Sequence, residues 1–100
     1  MDTQTLKQIL HEEMALFAGE GFNAISYLAI NEEIQLYVVV DYATIHGKKI
    51  IDMPLLARLV DNTIYIDIDN NFPDLFDALK ARGVPENQIV LAYRQDTIKT

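Results

Sequence analysis

The sequence predicts a single α+β domain spanning residues 1–100: an N-terminal helix, a four-stranded antiparallel meander, a second helix and a final central strand. Three observations lead to this prediction. The chain has 100 residues, 50% of them hydrophobic and 23% charged, which suits one compact core. Apolar residues recur at helical spacing near the N-terminus and at alternate positions in the middle. The four glycines and three prolines are scattered, so no linker divides the chain.

The first helix is predicted over residues 5–18. Its apolar residues recur at steps of three and four: Leu6, Ile9, Leu10, Met14 and Phe17. Such a stripe is typical of a surface helix that packs one side against a core. Thr5 and Gln8 fit a capping box at its start, and Gly19 marks its end.

The centre of the chain predicts a first β-hairpin. Two runs rich in β-branched and aromatic residues, 24–30 and 34–42, flank the polar turn 31–33. The segment 44–49, which contains His46 and Gly47, is predicted as a loop.

A second hairpin is predicted from strands 55–60 and 63–68. Asp61 and Asn62 separate them, and both residue types tolerate the positive φ of a tight turn. Residues 52–59 also fit a short helix with Pro54 in its first turn, but the following strand needs a partner, and so we favour a strand.

The last third predicts a helix over 72–82 and a strand over 89–93. Asn71 fits the helix cap, and Gly83 ends the helix. The run 89–93 is apolar without alternation, which is typical of a strand covered on both faces. We therefore expect it in the centre of the sheet.

Charge and composition exclude several classes of function. Eight basic and fifteen acidic residues give a net charge of −7, so direct nucleic-acid binding is not expected. The absence of cysteine excludes disulfides, thiolate metal sites and a cysteine nucleophile. The acidic first residues do not fit a secretory signal, and no apolar run is long enough to span a membrane. The expected location is the cytoplasm.

The residues suited to catalysis or metal binding do not form a recognised motif. His11 and His46 lack the spacing of known zinc motifs. Asp67 and Asp69 resemble the start of a calcium loop, but the glycine and the bidentate glutamate that follow in such loops are missing. An enzyme would need a polar pocket that gathers His46, Asp41 or Asp67 around an ion. The prediction is therefore a protein without catalytic activity, cofactor or metal.

One segment is unusually acidic. Residues 52–77 contain six acidic residues and one basic residue, Arg58, a local net charge of −5. One interpretation is solvation and helix capping. The other is a surface that attracts a basic protein partner.

The C-terminal part of the chain resembles a known family. Residues 83–93, GVPENQIVLAY, fit the pattern G-[IV]-P-x-x-x-I-[IV]-L-[AG]-[FY] of the XisI family. Residues 55–67 are similar to that family's strand, acidic turn and second strand, and His46 and Gly47 lie near its His-Gly pair. The family comprises small cyanobacterial proteins known as controlling factors for excision of the fdxN DNA element.

The resemblance implies a helix–sheet–helix–strand fold and an accessory role without catalysis. It also implies an XisH-like, nuclease-related protein as partner. Together with the acidic segment, it leads us to expect contact through Asp67, Asp69 and Asp74, with Tyr65 as an aromatic anchor.

A second hypothesis is a homo-oligomeric module that binds a small ligand or serves a structural role. Four tyrosines, Tyr27, Tyr37, Tyr42 and Tyr65, offer more aromatic surface than one small sheet readily covers. We therefore expect at least a homodimer.

Overall fold

The computed structural model describes residues 1–94, which form one sheet with two helices. The elements follow in the order α1 (Thr3–Ala15), β1 (Gly19–Gly21), β2 (Ala24–Asn31), β3 (Leu36–Ile45), β4 (Lys48–Val60), β5 (Thr63–Asp69), α2 (Leu75–Ala81) and β6 (Ile89–Leu91). Short 3-10 turns, Glu86–Gln88 and Ala92–Arg94, flank β6. The α+β prediction is confirmed.

The six strands lie side by side in chain order. Strands β1 to β5 form an antiparallel meander, and β6 runs parallel to β5. The sequence predicted four strands in the meander, and the structure adds β1, a three-residue strand at the edge beside β2.

The prediction that the last strand is central was wrong, because among residues 1–94 β6 pairs only with β5 and forms an edge of the sheet. Its apolar character has another cause. Ile89 is buried in the core, and the turn after β6 buries Ala92 and packs Tyr93 against the same core. Val90 and Leu91 remain half-buried.

Both helices are shorter than predicted and begin at different caps. Asp2, not Thr5, caps α1, and its Oδ1 accepts a 2.8 Å hydrogen bond from the backbone N–H of Thr5. Asp74, not Asn71, caps α2, and its Oδ1 accepts a 3.0 Å bond from the N–H of Asp77. Each aspartate satisfies a donor that the first helical turn leaves unpaired.

The ambiguous residues 52–59 lie in a strand, as favoured from the sequence. The loop predicted over 44–49 is instead a tight turn between two long strands. Its central residues, His46 and Gly47, have φ values of 52° and 77°, the left-handed pair that a two-residue hairpin turn requires. Strand β3 therefore continues two residues beyond its pairing with β2, and β4 continues beyond its pairing with β5.

The helices cover one face of the sheet. From α1, Leu6, Leu10 and Met14 are fully buried. They belong to one core cluster with the strand residues Tyr37, Val39, Leu55, Ala57, Ile64 and Ile66 and the α2 residues Leu75 and Leu79. Tyr37, expected as part of an aromatic surface, is thus a core residue, and its hydroxyl donates to Gln35 Oε1 at 2.8 Å.

The other side of the sheet, here called the open face, carries the side chains that alternate with these core residues. It includes Tyr27, Val38, Val40, Tyr42, Leu56 and Tyr65. Within residues 1–94, no helix is long and apolar enough to cross a membrane.

Candidate partner-binding surface

Tyr65 and Asp67 lie together on β5, next to Arg58 of β4. The Arg58 guanidinium donates to Asp67 through Nε, at 2.8 Å from Oδ2, and through Nη2, at 3.1 Å from Oδ1. The same guanidinium lies 4.7 Å from the centre of the Tyr65 ring. The Asp67 charge is therefore paired, and Arg58 covers one side of the predicted aromatic anchor.

Asp69 organises the loop between β5 and α2. Its Oδ1 accepts from the backbone N–H of Asn71 at 3.1 Å and from Asn71 Nδ2 at 2.8 Å. Its Oδ2 accepts from the N–H of Leu75 at 2.8 Å. One carboxylate thus fixes the loop to the first turn of α2, and Asn71 also donates to the Pro54 carbonyl at 3.2 Å.

Asp67, Asp69 and Asp74 follow one another along the end of β5 and the loop that leads into α2. At least two other acidic residues of segment 52–77 lie in different parts of the fold. Asp52 lies opposite Asp41 in the β3–β4 hairpin, and Asp61 lies in the β4–β5 turn. The acidic segment is therefore not one continuous patch.

An apolar groove beside Asp74 was not anticipated from the sequence. Leu16, Phe17, Phe72 and Pro73 line it, and Glu13 and Asp74 stand at its rim. Phe72 is 100% exposed and Leu16 is 76% exposed. We call these six residues the helix-end groove. The sequence predicted Leu16 and Phe72 within helices, but α1 ends before Leu16 and α2 begins after Phe72, which leaves both side chains exposed.

Arg82 ties the two helices together near this groove. Its Nη1 donates to Glu13 Oε2 at 2.6 Å, and its Nη2 donates to Glu12 Oε1 at 2.7 Å. The hydrogen bond from Arg82 lowers the pKa of Glu12 below its ordinary value, and the hydrogen bonds to the two glutamates raise the pKa of Arg82. At α2, the hydrogen bond to Glu86 raises the pKa of Lys80.

The residues considered for an ion site are not gathered. His46 occupies the tip of the β3–β4 hairpin. It is eight residues beyond Val38, a distance of about 26 Å along the strand. Asp41 accepts a 2.5 Å hydrogen bond from Ser26 Oγ. His11 lies on the exposed side of α1. Among residues 1–94, no group of three or more His, Asp or Glu side chains is placed to hold a metal ion.

Comparison with known proteins supports the resemblance seen in the tail motif. A family model described as "XisI protein" matches residues 2–100. No match was found among curated proteins.

Two solved structures share the fold. A XisI-like protein from Anabaena variabilis ATCC 29413 has a TM-score of 0.70 and 18% identity, covering 89% of this chain and 81% of that one. The fdxN element excision controlling factor XisI from the same organism has a TM-score of 0.64 and 19% identity, covering 90% and 86%. Since the family model spans nearly the whole sequence, the chain belongs to the XisI family.

Proposed function

We propose that this chain is a non-catalytic controlling protein that acts by binding an XisH-like, nuclease-related protein. Membership of the XisI family supports an accessory role, since one solved member of the same fold is an excision controlling factor. The observation that carries the proposal is the apolar groove with an acidic rim at the end of the helices. Exposed aromatic side chains beside carboxylates suit a basic protein surface.

The contact runs from the helix-end groove along the loop to the margin of the open face. Asp74 and Asp69 contribute at the loop, and Asp67 and Tyr65 contribute at β5. Asp67 and Asp69 already bind groups within the chain, so their role is to hold the surface in shape as well as to set its charge. Phe72, wholly exposed beside Asp74, is the residue best placed to enter an apolar pocket of the partner.

The direct test is co-purification of the intact chain with an XisH-like protein. A stable complex is expected, and Phe72→Ser should weaken it about tenfold or more, since exposed aromatic anchors supply much of the energy of such interfaces. Ile34→Ser, which removes a 59% exposed side chain in the β2–β3 turn, is the matched control and should leave the complex intact.

Duplex DNA provides the opposing measurement. The chain alone should not bind duplex DNA tightly, because its net charge is −7. Tight DNA binding by the isolated chain, or no complex with the XisH-like protein, contradicts the proposal.

A further inference from the structure

The open face of the sheet is apolar at its centre. Tyr27 lies opposite Val40, and Val38 lies opposite Leu56. The Tyr27 and Tyr42 rings meet edge to face, with centroids 5.6 Å apart. Tyr27 is 52% exposed, although it lies in the middle of a strand rather than in a turn.

Within residues 1–94, neither helix covers this face. The buried residues of α1 and α2 belong to the core cluster on the opposite side of the sheet, with Val39, Leu55 and Ile66. The neighbouring residues of the same strands that point to the open face, Val38 and Leu56, are only half-buried. An apolar sheet face of this kind is the usual mark of an interface.

The charge of the open face identifies the class of partner. The strands place four charged residues on it: Glu20, Lys49, Arg58 and Asp67. Two are acidic and two are basic, so the face is neutral on a chain whose net charge is −7. A second copy of the chain carries the same negative charge and is repelled by the rest of the surface. It can approach the neutral open face without electrostatic penalty. The face as a whole offers a basic partner no excess of acidic charge.

The size of the face also suits a second copy. Strands β2 to β5 have 8, 10, 13 and 7 residues, and with ~3.3 Å per residue and ~4.8 Å between strands their staggered footprint is on the order of 600 Å². Protruding side chains raise the accessible area above this footprint, toward the ~800 Å² per partner of a standard protein interface.

We infer that two copies of this chain pack their open faces together, centred on Tyr27, Val40 and Leu56. The contact is isologous, so Tyr27 and its symmetry mate lie near the centre of the interface. Sheet-on-sheet packing at ~10 Å brings the half-buried valine and leucine side chains out of water. The helix-end groove lies on the helix-covered side and stays free for another protein, whereas Tyr65 and Asp67, at the β5 margin of the open face, are shared between the two contacts. This inference does not rest on the proposed function.

The test is sedimentation equilibrium of the purified full-length chain at micromolar concentration, with no other protein present. The apparent mass of the wild type should be twice the chain mass of 11.4 kDa. Tyr27→Arg places a charge at the centre of the face and should weaken self-association about tenfold or more. Leu16→Arg makes the same change of charge in the helix-end groove and should leave the dimer intact.

Far-ultraviolet circular dichroism checks that both variants are folded, and Tyr27→Phe should retain the dimer. A wild type that stays monomeric, or a dimer that tolerates Tyr27→Arg, contradicts the inference. The inference is also contradicted if the full-length chain is monomeric but a shortened form ending at Arg94 dimerises. In that case residues 95–100 of the chain itself would occupy the face. Since no partner is present, this outcome is independent of the XisH-like complex.

Discussion

Arg58 and Asp67 form a two-point ion pair across β4 and β5, with N–O distances of 2.8 and 3.1 Å. A β-bulge makes this pairing possible. The register shifts between Leu56 and Ala57 of β4, so Asp67 has no direct partner opposite it and its side chain turns toward Arg58. The charge of Asp67, one of the predicted partner contacts, is thereby paired within the chain.

Removing this ion pair should lower stability modestly. Asp67→Asn should reduce the free energy of unfolding by about 1 kcal/mol, since the pair is two-pronged yet partly exposed. Urea denaturation measures the loss. Glu86→Gln breaks the more exposed, single-contact pair with Lys80 and should cost less. Equal losses for the two variants contradict a special role for the Arg58 geometry.

Acid should release part of the link between the helices. The pKa of Glu12 is lowered in the folded chain by its hydrogen bond from Arg82, from an ordinary value of 4.5. Its contribution to stability is therefore complete above pH 4.5 and is lost as the pH falls through the lowered value. Glu12→Gln should be less stable than the wild type at neutral pH, and the difference should shrink on acidification.

Thermal unfolding at neutral pH and at about pH 3 measures this difference. Glu33→Gln removes one carboxylate from the β2–β3 turn without touching Arg82, and it serves as the control. A Glu12→Gln deficit that is the same at both pH values contradicts the assignment to the Arg82 contact.

Asp69 should matter more for stability than its position in a loop indicates. Asp69→Ala removes the acceptor of three hydrogen bonds and frees the start of α2, at a cost of about 2–3 kcal/mol. Asp61→Ala, in the β4–β5 turn, provides the comparison. The main requirement at Asp61 is its left-handed backbone conformation, whereas at Asp69 it is hydrogen bonding by the side chain. Chemical denaturation that finds less than about 1 kcal/mol for Asp69→Ala contradicts the described loop structure.

The edge position of β6 has a measurable consequence. Leu91→Ala should cost about 1–2 kcal/mol, because Leu91 is only half-buried at an edge. Ile66→Ala, at a fully buried position of the neighbouring strand, should cost about 3–5 kcal/mol. Equal losses of stability for Leu91→Ala and Ile66→Ala contradict the edge position of β6.

The sequence predicted the elements with strong periodicity and misplaced those set by tertiary contacts. The stripe of α1 and the alternation in β5 depend on local spacing, and both were found as expected. The edge position of β6 depends on which strand it joins. An apolar run such as 89–93 looks the same whether a second strand or a helix covers it.

The candidate site shows the same division. Asp67, Asp69 and Asp74 were selected by charge, and charge does not reveal that Arg58 and the backbone of α2 already use them. The helix-end groove was missed because Leu16 and Phe72 lie within the predicted helices, 5–18 and 72–82. Their exposure follows from the helix caps. The cap at Leu16 ends α1 earlier than predicted, and the cap at Asp74 begins α2 later than predicted.

The affinity of the XisH-like protein for two matched variants tests the central claim most directly. Asp74→Asn keeps a residue that caps α2 equally well but removes the charge at the groove. Asp2→Asn makes the same change at the cap of α1, about 20 Å away along the helix, so net charge and capping are matched. The dissociation constants are measured by calorimetry at about 0.1 M and about 1 M salt, between which the screening length falls from ~10 Å to ~3 Å.

We predict that Asp74→Asn weakens binding about threefold to tenfold at the lower salt concentration, that the difference disappears at the higher one, and that Asp2→Asn binds like the wild type. Equal affinities for the wild type and Asp74→Asn, or a complex whose affinity ignores salt, would contradict binding through this acidic groove.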